Sequence, residues 1–220
     1  MTSAVTLRPP SAPRIPPALE RAMAALEHDA RLVEVRLEER VARDLEARGL
    51  ELERMRMVGC ELDGALLDHP SLRDVELERC SLAGMLAREA TVTRARLAGC
   101  RLSGATWAEG TLEDVTFCDC RLDLSGFRFA RLHRVVFESC ALGGADFAQA
   151  RGRSVRFDGC DLSGAGFSGA RLDASELRGC TLDGITGVDG LRGAALEWPE
   201  IVGLAGPMAA ALGLRVLDDG

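Results

Sequence analysis

The sequence predicts an all-β chain wound as a four-sided solenoid with 20 residues per coil, and three columns of residues predict it. Cysteines recur at Cys60, Cys80, Cys100, Cys120, Cys140, Cys160 and Cys180 without a slip. Every fifth residue from Leu52 to Leu182 is Leu, Phe, Met, Val or Trp, with Ala87 and Gly152 the exceptions. Gly64, Gly84, Gly104, Gly144, Gly164 and Gly184 share the coil spacing, with Leu124 the one replacement. A five-residue period fits neither the roughly 3.6 of a helix nor the 2 of a strand, so the chain must turn a corner every five residues. Repeats of this kind decide the fold before any local propensity does.

Four corners close one coil. In each five-residue unit one large and one small residue face inward and three face solvent. The large sites form columns, and six of the seven phenylalanines (Phe117, Phe127, Phe137, Phe147, Phe157 and Phe167) recur every ten residues, which puts them on two opposite walls. The small sites take Ala, Val, Ser, Gly and the cysteine column. A straight column of inward thiols cannot surround one ion tetrahedrally, and the chain has no CxxC motif or Cys/His cluster, so the thiols read as small apolar filler. Cys118 is the one predicted to point outward. Glycine at a corner suits a strained or left-handed backbone.

Units such as Gly144-Ala145-Asp146-Phe147, Cys160-Asp161-Leu162-Ser163-Gly164 and Gly169-Ala170-Arg171-Leu172 resemble the pentapeptide repeat family, whose consensus is A(D/N)LXX. The resemblance covers roughly residues 50–187 and implies a right-handed quadrilateral β-helix. Rungs about 4.8 Å apart would make seven coils a rod on the order of 35 Å long.

The ends come next. Residues 1–17 are Pro-rich and read as a disordered tail. Residues 18–49 read as a capping region: Leu19, Met23 and Leu26 suggest a short amphipathic helix, because a solenoid end exposes its core unless it is covered. Within 30–49, Ala30/Leu32 and Val35/Leu37 keep the five-residue register while Leu37, Val41 and Leu45 make a helical stripe. An irregular first coil is the better fit, since Leu50/Leu52 resumes in phase with Leu32. After Leu182 the register breaks, and Ala194/Leu196 looks like a last rung shifted by one residue. Trp198-Pro199-Glu200 should open a helix, and Pro207 should kink it. Residues 188–220 therefore read as a capping and dimerisation segment, with Trp198, Ile201, Leu204, Met208 and Leu212 followed by a strand carrying Leu214 and Val216.

Charge and composition narrow the function. A net charge of −7 speaks against general nucleic-acid binding. No apolar run is long enough to span a bilayer, and the N-terminus lacks the apolar core of a secretory signal, so the expectation is a cytoplasmic protein. His28, His69 and His133 have no consistent catalytic or metal partners and no phosphate loop is present, so neither an enzyme nor a cofactor is expected. The outer columns carry the remaining information. Glu76, Glu78, Asp119, Asp123, Glu138, Asp158, Asp161 and Asp183 fall on one side. Arg128, Arg131, His133, Arg134, Arg151, Arg153, Arg156 and Arg171 fall around another.

The resemblance is to quinolone-resistance members in particular, which are acidic, dimeric rods. It implies a protein that mimics DNA and binds DNA gyrase or topoisomerase IV, inhibiting the enzyme or protecting it from poisons, through the acidic column. The unbroken period leaves no room for projecting loops, so the chain looks like the loopless type. A scaffold for some other partner, through the arginine wall or the end caps, is the alternative.

Overall fold

The structure, a computed structural model, describes residues 7–23 and 25–214. The chain forms a right-handed solenoid of parallel strands, about 8 turns long. Each coil pairs with the next at an offset of 20 residues: Leu52 opposes Leu72, Leu72 opposes Val92, Val92 opposes Leu112, and Leu112 opposes Leu132. The longest strands, such as Ser71–Glu78 and Thr111–Cys118, run across two walls.

One backbone feature generates this shape. Every fifth residue from Asp29 to Gly184 is left-handed, with φ between 48° and 72°. At these corners the carbonyl of Leu62 accepts the N–H of Ala65 and that of Phe127 accepts the N–H of Ala130, with Gly64 or Phe129 at the position that needs positive φ. Many corners are not glycine, and each L-residue held there costs roughly 1–2 kcal/mol. Burial of the inner columns and the hydrogen bonds between rungs offset that cost.

The inner columns are as expected. Phe117, Phe137 and Phe157 stack with centroids 4.9 and 5.0 Å apart and rings within 4° of parallel. Phe127, Phe147 and Phe167 do the same on the opposite wall at 4.9 and 5.1 Å. The two stacks meet edge to face, as at Phe137 and Phe147 (6.0 Å, 85°), the geometry that aromatic quadrupoles favour. Toward the N-terminus Leu and Met replace the rings, and an apolar void of about 30 Å³ lies there, lined by Met57, Leu67, Met85, Ala87 and Trp107 among others. Each inner cysteine donates its thiol to main-chain carbonyls, Cys140 for instance to Phe117 and Glu138 at 3.5 and 3.3 Å. Neighbouring thiols and burial push Cys100 and Cys140 above the ordinary thiol range. Cys118 is half-exposed.

The N-terminal region departs from the sequence reading. Residues 30–49 form a coil in register, with Leu32 opposite Leu52 and Leu37 opposite Met57, so the solenoid begins well before residue 50. Leu37 is fully buried and Val41 is 65% exposed, which a helical stripe would not produce. No helix occurs in the described part of residues 17–28. Glu20–Arg21 instead adds a short strand against Val35–Arg36, because an open rung edge takes a strand more readily than a helix. Nor is the tail disordered over residues 7–17. It lies along the rod, with Ser11 and Arg14 bonded to side chains of distant coils.

At the other end Leu196 opposes Leu177, an offset of 19, after a 3-10 turn at Val188–Leu191. Two short helices follow, α1 (Trp198–Gly203) and α2 (Ala205–Ala211), broken at Leu204 just before Gly206-Pro207. Pro207 cannot extend a straight helix without striking the preceding turn. Leu204 is fully buried and Ile201 and Met208 are partly covered, so this face caps its own solenoid. Trp198, Val202, Leu212 and Leu214 are 61–77% exposed. Val216, and with it the proposed final strand, lies outside the described residues.

Candidate interaction surfaces

The corners sort every outer residue into a column, and a column is acidic, basic or mixed according to what recurs at 20-residue spacing. The structure does not treat the eight predicted carboxylates alike. Glu76 is spent on Arg56 at 2.6 Å, and Glu78 lies 3.9 Å from Arg56 and 4.0 Å from Arg79. Asp161 is tied down by the Ser163 hydroxyl (2.6 Å) and N–H (3.0 Å), which together hold its carboxyl below the usual range. Asp123 and Asp183 stand three rungs apart on a separate corner.

The remaining three come together. Glu138 and Asp158 are direct partners in the parallel ladder, and Cys118, beside Asp119, is the partner of Glu138 one rung earlier. Asp119, Glu138 and Asp158 therefore occupy three successive rungs, about 4.8 Å apart. Among the described residues none of them has an ion-pair partner. Asp119 only accepts the Cys118 thiol at 3.2 Å. Burial, then the Asp119 and Glu138 carboxylates, push that thiol up. Glu138 and Asp158 face each other as like charges, which opposes folding, while Asp119 lies one position along at the corner and Arg178 faces Asp158 on the next rung.

The basic wall divides in the same way. Arg134 is consumed by Asp114 and Glu113, and Arg128 lies 3.4 Å from Asp146. Arg156 faces Glu176 at 3.9 Å, on the acidic wall rather than the basic one. Arg131, Arg151 and Arg171 are register partners on three consecutive rungs. With His133, Arg153 and Asp173 they line an open groove of about 410 Å³ centred on Gly152. Gly152 is the missing large inner residue. Its place inside is filled by Leu172 and Val155, whose methyls would sit 2.7 and 2.8 Å from an added Cβ.

A third surface was not foreseen. Along one corner the sequence alternates acid and base, Glu34, Arg54, Asp74, Arg94, Asp114 and Arg134. Each pair closes between neighbouring rungs, with Arg54 on Glu34 at 2.8 Å and Arg94 and Arg134 each gripping its aspartate at 2.6 Å. Asp74 and Asp114 are only 4% and 6% exposed. Burial works against the Asp74 carboxylate, and Arg94 with the Arg14 N–H outweighs it. Arg134 is the main cause of the lowered Asp114 pKa. The 20-residue alternation of sign was the available signal.

Among the described residues no cluster of three or more His, Cys, Asp or Glu could hold a metal ion. His69 sits between Asp68 and Glu89, and His133 beside Glu113. No helix among the described residues is long and apolar enough to cross a membrane.

Residues 90–167 and 110–186 match the family described as Pentapeptide repeat region. No curated protein matches the chain. Among solved structures, full-length QnrB1, a plasmid-mediated fluoroquinolone resistance protein, shares 17% identity at a TM-score of 0.51. The match covers 86% of this chain and 97% of that one. HetL, a pentapeptide repeat protein involved in heterocyst differentiation regulation in the cyanobacterium Nostoc, shares 19% identity at a TM-score of 0.26, over 80% of this chain and 92% of that one.

Proposed function

Residues 90–186 being a pentapeptide repeat region, we propose that this chain is a non-enzymatic binding rod that engages a type II topoisomerase, DNA gyrase above all, as a mimic of DNA. The observation that carries the reading is the stripe of Asp119, Glu138 and Asp158, unpaired carboxylates on consecutive rungs. Regularly spaced negative charge on a stiff rod is what a groove built for phosphates attracts. The solenoid fold shared with a fluoroquinolone resistance protein supports the same reading. On this reading the rod shields the enzyme from poisons or inhibits it, and it works as a homodimer in the cytoplasm. The dimer contact falls to Trp198, Val202, Leu212 and Leu214, the apolar residues that the end cap leaves exposed.

The test is gyrase supercoiling with purified protein, with and without a fluoroquinolone. Inhibition or protection at micromolar protein, lost in the triple variant Asp119→Asn, Glu138→Gln, Asp158→Asn, supports the reading. No effect on gyrase or topoisomerase IV at tens of micromolar removes it. The groove of Arg131, Arg151 and Arg171 favours a second reading, a scaffold that holds an acidic partner by that wall.

A further inference from the structure

Ser11 and Arg14, three residues apart in the tail, each give a main-chain N–H to an aspartate of the alternating corner column. Ser11 bonds Asp114 Oδ1 at 2.9 Å and Arg14 bonds Asp74 Oδ1 at 2.9 Å. The aspartates lie two rungs apart, about 9.6 Å at the usual strand spacing. Three residues of polyproline II rise about 9.3 Å. The tail and the rod therefore share a common measure, with the tail running antiparallel to the coil order.

Burial along the tail repeats every three residues, as polyproline II requires. Leu7, Pro10, Pro13 and Pro16 are half-buried, joined by Ile15, while Arg8, Pro9, Ser11, Ala12 and Arg14 are exposed. A β-strand would alternate every two. Each aspartate is also fixed by two arginine nitrogens from the next rung, Nε and Nη2 of Arg94 on Asp74 and of Arg134 on Asp114. The receiving atoms are thus aimed before any ligand arrives, which lowers the ordering cost of binding.

A third position of the same design is idle. Glu34, paired to Arg54, continues the two-rung spacing. The tail residue in step with it is Pro17, which has no N–H to give. Glu34 remains 51% exposed in its side chain, against 6% and 7% for Asp74 and Asp114.

We infer that this corner is a binding site for proline-rich segments in the polyproline II conformation, read through main-chain N–H groups at every third residue. Residues 7–17 are its resident, displaceable ligand. A segment with a third donor in step is a better ligand than the tail, because it reaches Glu34. Peptide recognition of this kind uses the low entropy of a preformed polyproline II helix.

The experiment uses the full chain carrying Ser11→Pro and Arg14→Pro, which keep the extended conformation and delete both donors. A fluorescent peptide of residues 7–17 is titrated into it and into the unaltered chain, read by anisotropy, with nitrogen-15 relaxation at Ala12 and Ile15, whose N–H groups both proteins keep, reporting whether the tail is held. The double variant is expected to release its tail and bind the peptide at least tenfold more tightly than the unaltered chain. Adding Asp74→Asn and Asp114→Asn should abolish that binding, with thermal unfolding confirming the rod is intact. A peptide carrying Pro17→Ala should bind more tightly than the native one. Three results overturn the inference: a released tail with no peptide binding, equal binding to both proteins, or a tail still as rigid at Ala12 and Ile15 after both donors are gone.

Discussion

Arg134 holds Asp114 by two bonds, Nε to Oδ1 at 2.6 Å and Nη2 to Oδ2 at 2.9 Å, while the same Oδ1 takes the N–H of Ser11. Arg134 is the largest cause of that carboxyl's lowered pKa. A carboxylate whose pKa falls on folding stabilises the fold above its unfolded value, about 3.9, and that contribution is lost as pH drops through the lower folded value. The tail should therefore stay seated at neutral pH and loosen below about pH 4. Hydrogen exchange at Ser11 across this range is the measurement. Asp114→Asn should make that exchange insensitive to the transition.

The two phenylalanine stacks predict a steep local penalty. Phe137 touches stacked rings above and below and edge-on rings opposite. Phe137→Ala should cost about 3–5 kcal/mol. Phe137→Leu, which keeps most of the volume, should cost less than half as much. Urea unfolding of both variants checks the ratio.

Ala87 and Gly152 are both small where a large residue is the rule, yet they should respond in opposite directions. Ala87 borders the apolar void, so Ala87→Leu should gain about 0.5–2 kcal/mol. The space beside Gly152 is already taken by Leu172 and the stiff, branched Val155, so Gly152→Ala should lose about 1–3 kcal/mol. Thermal melts of the pair decide this, and a gain at both sites would contradict it.

Leu124 stands at φ 57° in a column whose neighbours are glycine, and it is 74% exposed. Leu124→Gly relieves left-handed strain and sacrifices little burial, so stability should rise by about 0.5–1 kcal/mol, net of glycine's extra unfolded-state entropy. A glycine introduced in mid-strand would do the reverse.

At the C-terminus, burial separates capping from association. Leu204 is fully buried and Trp198 is 74% exposed. Leu204→Ala should destabilise the fold by about 2–5 kcal/mol. Trp198→Ser should leave the melting temperature nearly unchanged and convert the proposed dimer to monomer in light scattering.

The solenoid was legible because its period is written three times over, in the cysteines, the large apolar column and the glycines. Even the one-residue shift at Leu196 could be read from spacing. The N-terminal region was not. Leu19, Met23 and Leu26 satisfy a helical spacing by coincidence, and what decides their conformation is an open rung edge that only the folded coil supplies. The tail was misread for a related reason. A proline-rich segment has no core of its own, and the partners of Ser11 and Arg14 lie 103 and 60 residues away. The acidic column was half legible. Spacing located all eight carboxylates, but only the fold shows that Arg56 neutralises Glu76 while Asp119, Glu138 and Asp158 stay unpaired.

The span between Ser11 and Asp114 also sets an order of events during synthesis. Ser11 leaves the ribosome 103 residues before its partner, a delay of roughly 5–20 s at typical elongation rates. Rungs can stack in the order they emerge, each on the one before. The tail must wait for Arg134 to close the corner, so residues made well before the coils are placed after them. For that interval a nascent chain presents its aspartate corner bare, open to whatever extended segment is nearby.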